Sequence, residues 1–440
     1  MQKIVDMRRE KLAALISWKN STLRKPLIIR GARQVGKTWL MKEFGNTQYK
    51  QTVYINFEKN SRLKTLFVDD FDIKRIIIAL QAETGLTINA NNTLLIFDEI
   101  QAIPEAITSL KYFFEDAPEY HIVAAGSLLG VALHENTSFP VGKVAFMDLH
   151  PLTFLEFLDA IGENNLVEML HSRDWKLITA FKSKYIDRLR QYYYVGGMPE
   201  VVVTFNQNNN FKEVRVIQKQ ILKSYEQDFS KHAPSEIVPR IRMIWNSIPA
   251  QLAKENRKFI YGIIKEGARA KDYEHALSWL IDCGQVHKIC NVSKPGMPLK
   301  AYEDRSAFKL YLVDVGLLAA MGDLSAQTLL EGNKIFTEFK GALTEQYVLQ
   351  QLITSEDHVT YYWSPERSTS EVDFIVQFEG AIYPIEVKAA ENLQAKSLKV
   401  YRDKFNPTHS FRTSMTDFYQ QDWLVNVPLY AISEFDFCCQ

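Results

Sequence analysis

Residues 26–38, PLIIRGARQVGKT, constrain this chain more than any other stretch: a short apolar run, a loop of the form GxxxxGKT, and then the helix-forming WLMKEF. Strand, glycine loop and helix in that order make a phosphate cradle, because glycines let consecutive backbone N–H groups curl round an anion and the helix N-terminus adds the positive end of its dipole. Gly31, Ala32, Arg33, Gln34, Val35, Gly36, Lys37, Thr38 and Trp39 are therefore the expected nucleotide-binding stretch. In it Lys37 reaches the β- and γ-phosphates and the Thr38 hydroxyl ligates magnesium.

A second pattern supports the first. Thr93 to Phe97 (TLLIF) reads as a buried strand ending in Asp98-Glu99. Two carboxylates at a strand's C-terminal end lie where an open α/β sheet binds its ligand; the first holds magnesium and the second, Glu99, activates water. The plainer reading, a turn or helix cap after the strand, has to explain both motifs in the right order. TVYINF at Thr52 to Phe57 and HIVAA at His121 to Ala125 add further strands, with Ser127 at the tip of the latter. Ser127 is placed either to sense the γ-phosphate or to cap the next helix. Strands alternating with helices predict a parallel sheet with helices on both faces.

The 440 residues are too many for one ordinary domain. Lys plus Arg (52) balance Asp plus Glu (52), so no global field draws the molecule to nucleic acid or to an anionic membrane, and any such contact is a local patch. The first twenty residues scatter charges through their apolar positions, and no later run reaches the roughly 18 apolar residues a bilayer span needs. Cys283, Cys290, Cys438 and Cys439 fit neither a disulfide framework nor metal spacing, and read as reduced thiols of a cytoplasmic protein.

From Gln218 to Leu252 the pattern is helical, and Ala270 to Asp282 sets Tyr273, Ala276, Leu277, Leu280 and Ile281 on one apolar face. The strand-like VHKICNV, a turn at SKPGMP and a second strand over Leu299 to Tyr302 follow. Helix then hairpin suggests a winged helix. Residues 251–300 hold nine Lys or Arg against five Asp or Glu, and Arg269, Lys271 and Lys294 are the side chains to test for DNA contact; packing against protein is the plainer use.

Towards the C-terminus, Phe336 to Leu352 reads as an amphipathic helix carrying Glu345. Asp373 opens one strand, and Glu386 and Lys388, two apart in the next, share a face. A hairpin over Gln377 to Ala381 would bring Asp373 beside them. The set resembles the PD-(D/E)xK nuclease core. The resemblance implies that Glu345, Asp373 and Glu386 hold magnesium while Lys388 orients the nucleophile or steadies developing charge, with Asp373, Glu386 and Lys388 catalytic. Each also has a structural use: Asp373 as a strand-end turn acid, Glu386 paired to Lys388 at the surface, Glu345 on a solvated helix face.

RKPLIIRGARQVGKT, TLLIFDEIQ, AAGSLL, PLTFLEFL after Pro151 and YVGGMPEVV at Tyr194 to Val202 together resemble a prokaryotic family of AAA+-type P-loop ATPases whose ATPase module is joined to a nuclease-like C-terminal domain. That resemblance implies an AAA+-like parallel sheet over residues 1–215, a helical and winged-helix region over 216–330, and a restriction-endonuclease-like α/β domain over 331–440. It implies ATP and Mg2+ as cofactors and DNA as a partner; monomer or homo-oligomer stays open, and no membrane contact is expected. Where the family pattern has Gly-Arg before PLTFLEF, this chain has Gly142-Lys143. Lysine lacks the planar fork of an arginine finger. Two functions remain in view. One is ATP-controlled, magnesium-dependent DNA processing; the other is a nucleotide-driven switch or scaffold whose C-terminal domain binds DNA or protein without cutting.

Overall fold

The computed structural model describes residues 7–437 except 61, 69–70, 127–138, 255–256, 328–336, 366–369, 390–395 and 436. The chain divides into two compact units: an N-terminal unit of Arg8–His150 with Asp282–Gln285, and a C-terminal unit built mainly from Pro151–Ile281 and Val286–Gln440.

The N-terminal unit is an α/β P-loop fold. Its strands are β1 (Leu27–Arg30), β2 (Gln51–Asn56), β3 (Thr93–Asp98), β4 (His121–Ala125) and β5 (Ala145–Asp148). They form one parallel sheet in the order β2-β3-β4-β1-β5. Every residue of β3 is buried, as a strand covered on both faces must be. Ile28, Val53, Ile55, Leu95, Phe97, Ile122 and Ala124 recur with period two, so they share a face. That face packs against Ile76 and Leu80 of the Ile73–Thr84 helix and Leu110 and Phe113 of the Pro104–Asp116 helix. The first of these helices starts where the Asp72 carboxylate accepts from the Lys74 and Arg75 N–H groups, and it ends at Gly85, whose φ of 68° suits a residue without Cβ.

The C-terminal unit begins with helices. Thr153 and Glu156 form a reciprocal capping box that starts Phe154–Ala160, which accounts for the PLTFLEFL motif. The YVGG motif is also structural: the buried Asp314 carboxylate accepts from the Gly197 N–H at 2.6 Å, and a Cβ on Gly196 would lie 2.2 Å from that carboxylate.

The strands of this unit are β6 (Val286–Val292), β7 (Glu303–Leu312), β8 (Val359–Trp363), β9 (Val372–Phe378), β10 (Ala381–Val387), β11 (Ser410–Ser414), β12 (Tyr419–Gln420) and β13 (Leu424–Pro428). They form a mixed sheet in the order β12-β13-β11-β10-β9-β8-β6-β7. The helix over Ala270–Asp282 forms and buries Tyr273, Ala276, Leu277 and Leu280 as expected, but Ile281 stays half-buried while Trp279 takes a buried place. The second hairpin strand does not fall where the sequence put it. Leu299–Tyr302 is a 3-10 turn and pairing resumes at Glu303, because Pro295 and Pro298 lack the N–H groups a ladder needs. β6 also pairs in parallel with β8, Asn291 opposite Tyr362, so the hairpin forms one edge of the larger sheet.

Candidate active sites

The P-loop leaves β1 at Arg30 and returns as the Lys37–Gln48 helix. Gly31 has φ of 140° and a Cβ there would sit 2.2 Å from the Leu149 carbonyl oxygen; Gly36 has φ of 96°, which makes glycine the residue of choice at both turns. Ala32 and Val35 face inward, Gln34 is exposed with φ of 68°, Arg33 is half-buried beside the loop, and Trp39 is half-buried in the first turn of the helix. The buried Arg9 side chain donates to the Val35 carbonyl at 3.1 Å and to the His150 carbonyl at 2.6 Å, fixing the loop from behind.

Lys37 donates to the Gly31 and Ala32 carbonyls at 2.8 and 2.7 Å. Burial lowers its pKa to about 8 against the raising influence of Glu99 and Asp98. One strand removed from β1, the buried Asp98 accepts from the Thr38 hydroxyl at 2.8 Å and from the Tyr54 hydroxyl at 2.8 Å. A hydroxyl and a carboxylate that already touch are hard oxygen donors of the kind magnesium takes, so these residues fit the metal that a nucleotide brings. Glu99 lies beside them with φ of 50°, and Gln101 donates to its carboxylate at 2.7 Å. Ser127 lies outside the described residues. Lys143, at the position of the expected arginine, pairs with Glu115 at 2.9 Å.

The C-terminal residues also converge, in two groups. The β9–β10 hairpin turns at Glu379-Gly380, both with positive φ, and pairs Ile385 with Phe374. The ladder ends there, with Asp373 and Glu386 the next residues on the two strands; β11 sets Arg412 opposite Glu386 and β13 sets Asn426 opposite Arg412. In the first group, the Glu345 carboxylate on the Thr337–Leu352 helix is paired with Arg257, accepts from the Tyr311 hydroxyl at 3.1 Å, and lies 3.6 Å from the Lys309 ammonium. Lys309 is fully buried, pairs with Glu371 at 2.5 Å and lies over the Tyr362 ring. Asp373 hydrogen-bonds to Glu345 and accepts from the Val387 N–H at 2.7 Å.

Opposite pKa shifts follow inside this group. Burial alone would raise Glu345, but Arg257 and Lys309 outweigh it and hold the carboxyl at about 2. For Asp373, burial and then the Glu345 charge push the same way, well above the ordinary carboxylate range. The cluster thus sets Arg257 and Lys309 against Glu345 and Glu371, with the Asp373 carboxyl pushed upward beside them. In the second group, Glu386 is buried, one oxygen pairs with Lys388 at 2.6 Å, and the other, Oε2, has no hydrogen-bond partner among the described residues. Among the described residues no three carboxylate, imidazole or thiol groups close into a metal shell.

Residues 23–158 match a family model described as "AAA domain". The α/β P-loop fold of the N-terminal unit thus carries the match to an AAA domain. Residues 186–328 and 340–432 match two further models, each described as a domain of unknown function (DUF8612 and DUF4143). No curated protein matches. Similar solved structures include the Walker-type ATPase PABY2304 of Pyrococcus abyssi, at 14% identity and TM-score 0.47 over 72% of this chain and 96% of that one. They also include the Orc1 protein of Aeropyrum pernix in complex with DNA, at 12% identity and TM-score 0.29 over 72% and 94%, and the RuvB Holliday junction branch migration motor of Thermotoga maritima, at 14% and 0.28 over 66% and 90%.

The sequence singled out Lys37, Thr38, Asp98 and Glu99 in one unit and Glu345, Asp373, Glu386 and Lys388 in the other, but not the side chains that hold them. Arg9 and Tyr54 around the AAA site, and Arg257, Lys309, Tyr311 and Glu371 around Glu345, were not singled out as site residues. Lys309 had a visible signal, a lone cation inside the apolar AFKLYLV. Arg257 had none; it arrives from a loop 88 residues before its partner. Of the side chains named for DNA contact, Arg269 pairs with Asp272 at 3.3 Å, while Lys271 and Lys294 are exposed. Cys283 and Cys290 are free and buried. No described helix is long and apolar enough to cross a membrane.

Proposed function

We propose that this chain is an ATP-binding and ATP-hydrolysing protein that uses nucleotide state to control magnesium-dependent DNA processing at its C-terminal cluster. The ATPase half rests on the AAA match and on Lys37, Thr38, Asp98 and Glu99 standing together. The observation that carries the second half is Glu386: a buried carboxylate with one oxygen on Lys388 and the other without a hydrogen-bond partner among the described residues, next in the chain to Val387, whose N–H donates to Asp373. An orphaned buried carboxylate oxygen is costly unless something occupies it. Asp373 and Glu386 are the residues that would hold Mg2+, with Glu345 behind them. Bound there, the ion would polarise a phosphodiester and lower the pKa of water. Lys388, half-exposed beside Glu386, would sit against the scissile phosphate. Cleavage of a mixed DNA panel in magnesium is expected to be lost in Asp373→Ala and in Glu386→Gln; cleavage unchanged in both contradicts this assignment.

A second reading has its own observation. Arg257 and Lys309 already neutralise Glu345 and Glu371, as in a structural ion cluster rather than a metal shell. On that reading the C-terminal unit recognises DNA or protein without cutting. DNA retained by the protein but left intact in magnesium is its signature.

A further inference from the structure

We propose that the groove between the Lys396–Phe405 helix and the Thr416–Leu424 segment binds single-stranded nucleic acid, a use that rests on the reading of the neighbouring Glu386 cluster as a phosphodiester site. The groove encloses about 750 Å3, within the roughly 300–1,000 Å3 typical of ligand sites. Its cations are Lys396, Lys399 and Arg412; its rings are Phe418, Tyr419 and Trp423.

The charge census favours an anion. Lys396 and Lys399 are exposed and pair with no described acid. Arg412 is buried at the groove, held by the Asn426 side chain at 2.8 Å. The acid among the lining residues, Asp417, is countered by Lys182 at 3.2 Å.

The rings narrow the class. Tyr419 is 52% exposed on a two-residue edge strand, while Trp423 carries the Arg402 guanidinium 4.5 Å from its centroid and Phe418 stacks on Trp175 at 4.2 Å. Cations beside an open aromatic face suit a strand whose phosphates meet the lysines and whose base stacks on the ring. An acidic peptide satisfies the charge and leaves the ring without a partner, and a duplex keeps its base faces hidden. Position links the groove to the cluster: Arg412 is the register partner of Glu386, so a strand lying along Arg412 passes one β-strand away from the orphaned carboxylate.

The test is fluorescence anisotropy of a labelled oligothymidine on the full chain in EDTA, where nothing is cut. Tyr419→Ala is expected to weaken binding about tenfold or more, with Tyr419→Phe close to wild type. Lys396→Gln with Lys399→Gln is expected to weaken it and to flatten the slope of log affinity against log salt by about 1.4, two phosphates' worth for a single strand. These side chains are exposed, so thermal melts should be unchanged. Unaltered affinity in both sets, or displacement by polyglutamate as readily as by oligothymidine, overturns the proposal. The outcomes separate: binding lost in these variants with no cleavage by wild type in magnesium keeps the groove and removes the nuclease, whereas cleavage indifferent to them keeps the nuclease and removes the groove.

Discussion

The two sites are built in opposite ways. In the AAA domain the proposed anion cradle is one contiguous loop whose backbone groups would do most of the binding, so it depends on particular conformations at Gly31 and Gly36 more than on distant partners. The acids Asp98 and Glu99 come from the end of a strand two places along the sheet, with Tyr54 and Arg9 supporting them and the loop. The C-terminal cluster is the reverse. Glu345 comes from a helix, Asp373 and Glu386 from neighbouring strands, Lys309 and Tyr311 from an edge strand and Arg257 from a loop, and every bond among them is between side chains or from a side chain to backbone. A loop of backbone tolerates change around it; a buried ion cluster stands or falls together.

That contrast can be tested where the expected effect is largest. Lys37→Ala is expected to cut ATP turnover by at least about 10²-fold, as loss of one preorganised transition-state donor does, while costing only about 1–2 kcal/mol of unfolding free energy in urea for the two carbonyls it leaves. A large loss of stability would mean that Lys37 is structural.

Glu345→Gln is the complementary change. It strands Arg257 and Lys309 without their shared counter-charge and should cost about 3–5 kcal/mol in urea unfolding. Asp373→Asn, at a carboxyl whose charged form burial and Glu345 disfavour, should cost less, under about 1.5 kcal/mol. Equal costs for the two would contradict the upward shift of Asp373. The linkage has a sign as well. The depressed Glu345 contributes stability that is present above its unfolded pKa and is lost as pH falls towards about 2. Raised Asp373 contributes in the other direction, most at low pH and less as pH climbs past its unfolded value. Asp373→Asn should therefore make the decline of stability above about pH 4 shallower.

A smaller effect concerns Lys37. With its pKa lowered to about 8 in the free protein, ATP binding at pH 9 should take up a proton as the phosphates restore the ammonium. Calorimetry in buffers of different ionisation enthalpy reads that uptake directly, and none is expected at pH 7. The smallest change is Tyr54→Phe, which removes one donor from Asp98 and should shift Mg-nucleotide affinity by about 1 kcal/mol.

Legibility followed the same division. GxxxxGKT, the buried TLLIF strand and the acids after it were readable because their spacing is local and their burial continuous. The β9–β10 hairpin was readable from its alternation and its Glu-Gly turn. What tertiary contact supplies was not: that Pro295 and Pro298 delay the second hairpin strand to Glu303, that the hairpin joins the larger sheet through β8, or that Arg257 and Lys309 come to rest on Glu345. Arginine at position 257 is one charge among many in a basic stretch, and no local pattern marks the one that becomes buried.

The central claim is that two separable sites act in one chain, with the nucleotide site in control. It is tested most directly by measuring ATP hydrolysis and DNA cleavage together, in magnesium, for wild type, Lys37→Ala, Glu99→Gln and Lys388→Ala. The account predicts that Lys388→Ala loses cleavage and keeps ATP hydrolysis, while Lys37→Ala and Glu99→Gln lose hydrolysis and, with it, controlled cleavage. Wild-type ATP turnover with no DNA cut under any nucleotide, or cleavage that ignores all three substitutions, contradicts it.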